Sequence, residues 1–437
     1  MPFATTNKVP KKRRAVIIDG RRTPFVRAFG SLMKLDAIDL GLAATRALLA
    51  AVGLPPTEID AIVWGGVVLP PAAPNVGREI ALDLNLPASV EAMTVTRACA
   101  SGLQAITLAA AAIERGEVDV VIAGGGDSTS NAVVPMPAHV IQTVAPVAMS
   151  SKSGFMDWMG VISQLAPFTG MLPSKPEIAE RTTGEVMGEA AERMAKRNGI
   201  TREAQDAFAA RSHHRAAKAV ADGRFDDEIC SVDRKGKDPV YVDDLVRADT
   251  SVEKLAKLRP VFAKDGTLTA GNSSALTDGA GAVLLMSYER AQSLGLVGKA
   301  AFRSWSYVGV DPRDQLLIGP ALAMPKALER AGMQLGDVSL IEMHEAFAAQ
   351  VLSVTQALGS AAFAQERLGR DGAVGQVDPD RLNPLGGSLA LGHPFAATGA
   401  RMVTTAANQL FGSDQETALL GICAAGGIGA AAVLERI

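Results

Sequence analysis

Apolar and polar positions along this chain alternate in blocks that fit buried strands and amphipathic helices in turn. β-branched runs that stop at polar or glycine-rich positions indicate strands, and a 3.6-residue apolar period that ends at glycine indicates helices. We predict strands over 15–18, 61–68, 93–95, 118–123 and 418–422, and helices over 38–52 and 100–114. This succession predicts helices packed on a largely buried sheet.

The second half of the chain repeats the pattern of the first. The segment 47–63 resembles 327–341, since each reads as a helix, a short polar turn with one acidic residue and a strand. Likewise 118–126 resembles 418–427, a strand that opens onto a glycine cluster. Two βαβ-type halves with a shared core are the prediction, and chance similarity between alanine-rich segments is the alternative.

A segment of different character, 132–261, lies between the halves. Its first part, 133–176, holds five of the fifteen methionines and three formal charges, and its second part, 189–222, is charged and helical. Apolar residues recur at helical spacing in a stripe that is halted near Pro167, with Trp158 beside it: Phe155, Met159, Ile162 and Leu165. We predict an excursion that covers the active-site face.

Composition narrows the class of protein. With 43 basic and 46 acidic residues among 437, the net charge of −3 argues against nucleic-acid binding driven by overall charge. An apolar content of 48% supports a large core, and three cysteines do not make a disulfide scaffold, which indicates a reducing, cytoplasmic compartment. No apolar stretch is long enough to span a membrane. The basic residues of 1–14 are expected to form a solvated tail and not a targeting signal.

Candidate chemistry is confined to a few cysteines and histidines. Cys99 precedes the helix predicted over 100–114, where the helix dipole is expected to lower its pKa; an inert core cysteine is the alternative. His344 follows a buried strand, His393 is expected at a strand-to-helix turn, and Cys423 follows the strand over 418–422. Imidazole suits proton transfer near neutrality, and the glycines after Cys423 allow backbone N–H groups to face an oxyanion. A metal site is disfavoured, because no C-x2-C or H-x3-H spacing occurs.

Four blocks in this order resemble the signature blocks of the thiolase family. They are Ala-Cys-Ala-Ser-Gly around Cys99, His-Glu-Ala-Phe from His344, Gly-His-Pro around His393 with Thr398-Gly399 after it, and Cys423 with Gly426-Gly427 and Gly429. The resemblance covers 13–437. The His-Glu-Ala-Phe and Cys-Ala-Ala-Gly-Gly forms are similar to the β-subunits of the bacterial fatty-acid β-oxidation complex and its mitochondrial trifunctional relative.

The resemblance implies an α/β fold class: a duplicated thiolase fold, layered α-β-α-β-α, with an inserted loop domain. The implied N-terminal half is 1–131 with 262–298 and carries Cys99. The implied loop domain over the active site and CoA is 132–261, and the C-terminal half, 299–437, carries His344, His393 and Cys423.

The resemblance also implies the activity of a 3-ketoacyl-CoA thiolase. Cys99 would be the nucleophile, His393 its base, His344 a support for the enolate oxygen, and Cys423 the acid and base, with an oxyanion site at the backbone N–H groups of Cys99 and Ala425. Arg247, Phe262 and Ser274 would contact CoA. CoA and acyl-CoA are implied as substrates, with no metal and no permanently bound cofactor.

Implied partners are a second copy, as a homodimer or a dimer of dimers, and a hydratase/dehydrogenase α-subunit. Nucleic acid is not expected, and neither is membrane contact, because 133–176 is nearly neutral where related β-subunits are basic. An acetoacetyl-CoA thiolase working in the biosynthetic direction stays open, and so does a mainly structural subunit. A ketoacyl-carrier-protein synthase shares the fold but would not need Cys423. Acyl chain length and physiological direction stay open.

Overall fold

The computed structural model describes residues 9–166, 168, 170 and 179–437. These residues fall into two compact units, one formed by Met1–Asn131 with Ala179–Ile437 and the other by Ala132–Ile178.

The elements follow in chain order. The strands are β1 (Ala15–Arg22), β2 (Val26–Arg27), β3 (Ala61–Gly65), β4 (Glu91–Val95), β5 (Val120–Ser128), β6 (Val232–Arg234), β7 (Lys237–Val240), β8 (Thr277–Ser287), β9 (Ala300–Gly309), β10 (Leu340–Met343), β11 (Thr417–Ala424) and β12 (Ile428–Arg436). The helices are α1 (Ala37–Val52), α2 (Val76–Asp83), α3 (Ser101–Arg115), α4 (Ala138–Ala148), α5 (Phe155–Leu165), α6 (Met187–Asn198), α7 (Arg202–Ala221), α8 (Val252–Leu255), α9 (Tyr288–Ser293), α10 (Pro312–Gln315), α11 (Pro320–Ala331), α12 (Ala348–Leu358), α13 (Ala361–Phe363), α14 (Ser388–Leu391) and α15 (Ala396–Phe411). Each strand and helix predicted from the pattern is present, with ends shifted by a few residues.

The two halves of the large unit share one topology. The first half orders its strands β4-β3-β5-β8-β1, and the second orders its strands β10-β11-β12-β9. In the second half Leu382 pairs with Ile341 of β10 in parallel, at the place that β4 takes beside β3. Helices α1 and α3 occupy the same positions in chain order as α11 and α15. The predicted duplication is confirmed.

Three apolar cores give the molecule its layers. The central core lies between the sheets of the two halves and contains α3 and α15, both rich in buried alanine. One outer core is covered by α1 and α2, and the other by α6, α11 and α12. The two sheets join where Val16 and Ile17 of β1 pair with Ala301 and Ala300 of β9. The layered α-β-α-β-α class is therefore confirmed.

The halves differ most in one connection. A three-residue turn after Ala424 joins β11 to β12, whereas a long segment that starts after Ser128 joins β5 to β8. We predicted this excursion as a domain over 132–261. Within it, 179–261 belongs to the large unit, because Ala191 and Met194 of α6 and Phe208 of α7 bury their side chains in its outer core. As a domain boundary, 132–261 stays a prediction.

The smaller unit contains α4 and α5, which bury Val140, Val161 and Leu165 between them. The predicted helix over 155–165 is present, but Phe155, Met159 and Ile162 of its apolar stripe are exposed. The residue at which we expected this helix to halt, Pro167, lies outside the described residues. Across the part of the chain that the structure describes, no helix has the length and apolar character needed to cross a membrane.

The N-terminal basic segment is not simply a solvated tail. Arg13 pairs with Asp119 at 2.5 Å and donates to the carbonyl of Val118 at 2.9 Å, while Arg14 pairs with Glu435 at 2.5 Å. These ion pairs fix the chain before β1 against both halves. The expectation was wrong for these two arginines, because hydropathy does not reveal ion-pair partners that are distant in the sequence.

Candidate active site

A tight turn between β4 and α3 carries Cys99. Ala98 has a φ of 46°, in the left-handed region that non-glycine residues avoid. The Ser101 hydroxyl accepts from the backbone N–H of Arg97 at 2.7 Å and donates to the carbonyl of Ala98 at 2.6 Å. The strained turn therefore holds the partly buried Cys99 just before α3, with its hydrogen bonds closed locally.

His344 stands directly after β10, as the sequence predicts. Its backbone N–H donates to the carbonyl of Gly421 at 2.8 Å, and its Nδ1 lies 2.9 Å from the Ser388 hydroxyl. The imidazole is buried, and its Nε2 has no hydrogen-bond partner among the described residues. Nε2 is therefore the atom through which this histidine can meet a substrate.

His393 lies between α14 and α15, so the predicted strand-to-helix turn was wrong. The glycine-rich run before it, read as a strand end, folds instead into the short helix α14. Nδ1 of His393 is 2.7 Å from the Thr398 hydroxyl in the first turn of α15. Nε2 of His393 is buried without a partner in the described part of the chain. The rings of His344 and His393 have centroids 4.1 Å apart.

The structure brings three of the four predicted residues to one point. Cys99, His344 and His393 each offer one ligand-type atom, and these atoms lie within 4.8 Å of one another. This is the convergence that the resemblance implied, and it also meets the first geometric requirement of a metal site.

Cys423 lies within β11 and not after the strand as predicted, because β11 continues to Ala424 before the turn. Its thiol is buried, and the nearby Cys99 raises the pKa of Cys423. The turn that follows uses Gly426 and Gly427, whose φ values of 81° and 67° suit glycine. Cys423 therefore belongs to the same cluster.

Burial sets the protonation of the cluster. It raises the pKa of the Cys99 thiol to about 12; the backbone N–H groups of Ala425 and Cys99, which hydrogen-bond the sulfur, act against it, and the charge of Asp127 acts with it. The expectation of a lowered pKa was wrong, because desolvation of the thiolate raises it by more than the two backbone hydrogen bonds lower it. Burial also raises the pKa of Cys423 well above its usual range.

The histidines shift in the opposite direction. Burial lowers the pKa of His393 to about 3, with the positive charge of Arg401 acting in the same sense. Burial, His393 and Arg401 together lower the pKa of His344 well below its usual range. Near neutral pH the cluster therefore holds neutral thiols beside neutral imidazoles that can accept a proton.

A buried carboxylate next to His344 organises the surrounding loops. Glu345 accepts from the Ser212 hydroxyl at 2.7 Å, from the Asn383 amide at 2.7 Å and from the backbone N–H of Leu389 at 3.1 Å. A Cβ at Gly387 would lie 2.4 Å from its carboxyl carbon, so this loop approaches closely only because Gly387 has no side chain. Sequence reasoning missed this role, although Glu345 lies inside the His-Glu-Ala-Phe block.

A buried ion pair lies behind the histidines. Arg401 of α15 contacts Glu342 of β10 at 2.9 Å, with both side chains at most 1% exposed. The Nε and one terminal nitrogen of Arg401 have no partner in the described part of the chain. Neither residue stood out in the sequence, because charged residues usually face solvent.

The three predicted CoA contacts lie in two places. The N–H of Ser274 donates to the carbonyl of Ala346 at 2.9 Å, and the ring of Phe262 packs edge-on against Phe347 at 5.9 Å. Both therefore adjoin the segment that follows His344. Arg247 is exposed, and its backbone N–H donates to Nδ1 of His213 at 3.3 Å.

Comparison with known proteins agrees with the fold and with the four sequence blocks. The thiolase N-terminal domain model matches residues 15–289, and the thiolase C-terminal domain model matches residues 296–436. The 3-ketoacyl-CoA thiolase of Escherichia coli (strain K12 / MC4100 / BW2952) is 44% identical over 425 residues, which cover 97% of each protein.

Solved structures give the same result. The crystal structure of human mitochondrial 3-ketoacyl-CoA thiolase in complex with CoA superposes with a TM-score of 0.82 at 29% identity, covering 98% of this chain and 99% of that one. The Bacillus anthracis acetyl-CoA acetyltransferase superposes with a TM-score of 0.82 at 31% identity, covering 97% and 99% of the two chains. With both domain models matched in order and a relative this similar over nearly its whole length, the chain belongs to the thiolase family of acyltransferases.

Proposed function

We propose that this protein is a 3-ketoacyl-CoA thiolase of fatty-acid β-oxidation, which cleaves 3-ketoacyl-CoA with CoA into acetyl-CoA and an acyl-CoA two carbons shorter. The observation that supports this most directly is the convergence of Cys99, His344 and His393 within 4.8 Å. The name of the E. coli relative, 3-ketoacyl-CoA thiolase, supports the choice of substrate class.

In the first step the Cys99 sulfur attacks the 3-keto carbon. Because the thiol and the imidazole are both neutral at rest, the proton passes to Nε2 of His393 as the carbon–sulfur bond forms. Thr398 engages Nδ1 of that ring, which leaves Nε2 as the proton acceptor. A buried site disfavours a separated thiolate and imidazolium, so attack and proton transfer are coupled.

In the second step the bond between the α- and β-carbons breaks and releases the enolate of acetyl-CoA. Nε2 of His344 and His393 can stabilise the enolate oxygen, and the Cys423 thiol gives its proton to the enolate carbon. The resulting thiolate of Cys423 then takes the proton of an incoming CoA thiol. Attack of that CoA on acyl-Cys99 yields the shortened acyl-CoA, and Cys99 regains its proton from His393.

Backbone N–H groups suit the oxyanion of the acyl-transfer steps. Those of Cys99 and Ala425 act on the Cys99 sulfur as hydrogen-bond donors that lower its pKa, which supports them as donors to a tetrahedral carbon's oxygen beside that sulfur. Ser274 and Phe262 would border the pantetheine arm of CoA, and Arg247 its nucleotide end. No permanently bound cofactor or metal is needed for these steps.

The assembly we propose is a homodimer or a dimer of dimers. Strand β4 pairs with β3 on one side, and in the described residues its other edge carries no strand, so a second copy can continue the sheet there. An α-subunit with hydratase and dehydrogenase activity is a further proposed partner. Because Cys99 and Cys423 must stay reduced and all three cysteines are free, we propose a reducing, cytoplasmic location.

Replacement of the nucleophile tests the proposal. Cys99→Ser should fold but form no acyl-enzyme with acetyl-CoA, because a hydroxyl is far less acidic than a thiol. Mass spectrometry should find the acetyl group on the wild type and on Cys230→Ser, a matched control whose cysteine is also partly buried. Acetylation of Cys99→Ser at a comparable rate would place the nucleophile elsewhere.

Two further measurements separate the alternatives. Thiolysis assayed with acyl chains from acetoacetyl-CoA upwards distinguishes a 3-ketoacyl-CoA thiolase from an acetoacetyl-CoA thiolase, and absence of turnover with every chain length would indicate a structural subunit. Thiolysis that persists after dialysis against EDTA separates acid–base chemistry from use of the Cys99–His344–His393 cluster as a metal site.

A further inference from the structure

Asp127, near the end of β5, is a buried charged group that the mechanism above does not use. Its side chain is 0% exposed. One carboxylate oxygen accepts from the backbone N–H groups of Val67 and Val68 at 2.7 and 2.6 Å, and the other accepts from the N–H of Ala396 at 2.9 Å. The carboxylate therefore joins β5, the turn after β3 and the first residue of α15.

The N-terminus of α15 depends on this distant carboxylate. The residue before the helix, Phe395, has φ 35° and ψ −100°, and its side chain makes no capping hydrogen bond. Asp127 supplies from another strand the acceptor that a local Ser, Thr, Asp or Asn usually supplies. Its negative charge also favours the positive end of the helix dipole.

This N-terminus carries the proposed base. His393 lies three residues before Ala396, and its Nδ1 is held by Thr398 in the first turn of α15. A displacement of that turn would therefore move both the backbone and the ring contact of His393.

The other two hydrogen bonds of Asp127 hold a turn that lies close to the segment of the nucleophile, Cys99. Val67 and Val68 follow β3, whose last residue, Gly65, packs so closely on the start of α3 that a Cβ there would lie 2.5 Å from the carbonyl carbon of Ser101. The turn held by Asp127 is thus next to the segment that carries Cys99.

We propose that Asp127 is a positioning residue of the thiolase reaction: its carboxylate sets the distance between His393 at the start of α15 and Cys99 before α3. This inference rests on the proposed function. In this assignment Asp127 positions the site through backbone groups; its charge also raises the pKa of Cys99, but it makes no hydrogen bond to the reacting atoms.

The arrangement needs the ionised carboxylate. All three partners are N–H donors, so a protonated Asp127 would lose acceptor capacity. Burial raises the pKa of Asp127 to about 7, against the effect of those donors. The site residues that face Asp127 have pKa values far from its own: about 12 for Cys99 and about 3 for His393. Below neutral pH the support of α15 should therefore weaken.

Asp127→Asn is the direct test. The amide cannot accept from both the β3 turn and Ala396, so kcat should fall about 10- to 100-fold, while KM for CoA changes less than about twofold because no CoA contact is altered. In the wild type kcat should fall as the pH drops below about 7, where Asp127 takes up a proton, and this fall should be absent from Asp127→Asn. Glu342, whose pKa burial raises to about 7, is the other candidate for the cause of that fall, and Glu342→Gln should retain it.

Asp60→Asn is the matched control. Asp60 accepts from the N–H groups of Asp119 and Val120 at 2.8 Å each, near the opposite end of β5. Both N–H groups bond one oxygen, so Asn can keep both hydrogen bonds while this exposed residue loses its charge away from His393, and kcat and its pH profile should stay unchanged. Equal losses of kcat in the two variants, or a KM effect without a kcat effect, would overturn the proposal.

Histidine NMR gives a readout that does not depend on thiolysis. The ring signal of His393 should move in Asp127→Asn but not in Asp60→Asn, whereas the exposed His139 reports no change in either. If the Asn variant does not fold, Glu342→Gln carries the test, because its His393 signal should still change with a midpoint near pH 7 although His393 itself does not titrate there. An unmoved His393 signal would refute the role of Asp127, and a moved signal without thiolysis would refute only the proposed function.

Discussion

Replacing Thr398 with Val should slow thiolysis without changing the shape of the site. For Nε2 of His393 to take the Cys99 proton, the ring proton must reside on Nδ1, where the Thr398 oxygen accepts it at 2.7 Å. Valine has the shape of threonine but offers no hydrogen-bond acceptor. The side chains of Thr398 and His393 are both buried, so water does not replace the lost acceptor. The reactive tautomer would then hold a buried N–H without a partner.

The size of the effect follows from that unpaired N–H. Leaving a buried donor unsatisfied costs about 1–3 kcal/mol, and at 1.36 kcal/mol per tenfold this corresponds to a fall in kcat of about 5- to 150-fold. The assay is steady-state thiolysis of acetoacetyl-CoA at saturating CoA, followed by loss of the substrate's absorbance. KM for CoA should stay within about twofold, because the hydroxyl makes no contact assigned to CoA.

Thr404→Val supplies the control on the same helix. Its hydroxyl is also buried, but it has no hydrogen-bond partner among the described residues, so its removal should leave kcat unchanged. Equal losses of kcat in Thr398→Val and Thr404→Val, or no loss in either, would refute the view that Thr398 selects the tautomer of the base.

Two more predictions concern the same site. Cys423→Ala should still acylate at Cys99 but lose solvent-deuterium exchange at the α-carbon of acetyl-CoA, since the enolate has no thiol partner; normal exchange would remove Cys423 from the acid–base role. Glu342→Gln should lower the free energy of unfolding in urea by about 3–5 kcal/mol, because Arg401 is left buried without its counter-charge. Glu117→Gln, which breaks an exposed pair with Arg115, should hardly change it, and equal effects would contradict the burial argument.

The pattern of apolar residues predicted elements better than it predicted their ends. Strand β1 continues past the predicted residue 18 to Arg22, because Arg22 is buried in ion pairs with Glu228 and Asp243 at 2.9 and 2.7 Å. Strand β3 stops at Gly65 and not at residue 68, because Asp127 takes the N–H groups of Val67 and Val68. Partners far away in sequence decide both ends, and periodicity does not contain them.

The candidate site likewise combines residues that the sequence identifies with properties that only the folded chain determines. Cys99, His344, His393 and Cys423 could be named from four blocks, because each block carries unusual residues in a fixed order. Glu345 and Thr398 lie inside these blocks and could have been weighed, since buried ring nitrogens and loops need polar partners. The pKa of Cys99 could not be predicted, because it depends on how deeply the whole fold buries the thiol.

The common topology of the two halves has a consequence for the reaction. Cys99 and His393 occupy matching places, each just before the helix that runs between the sheets, and those helices touch at their first turns, where a Cβ on Gly102 would lie 2.1 Å from the carbonyl oxygen of Ala396. Two separate copies of a single half would bring identical loops to this crossing, so a thiol would face a thiol and an imidazole would face an imidazole. Joining the halves in one chain lets each loop carry a different residue, and an approximate twofold axis can then hold an unequal pair of donor and acceptor.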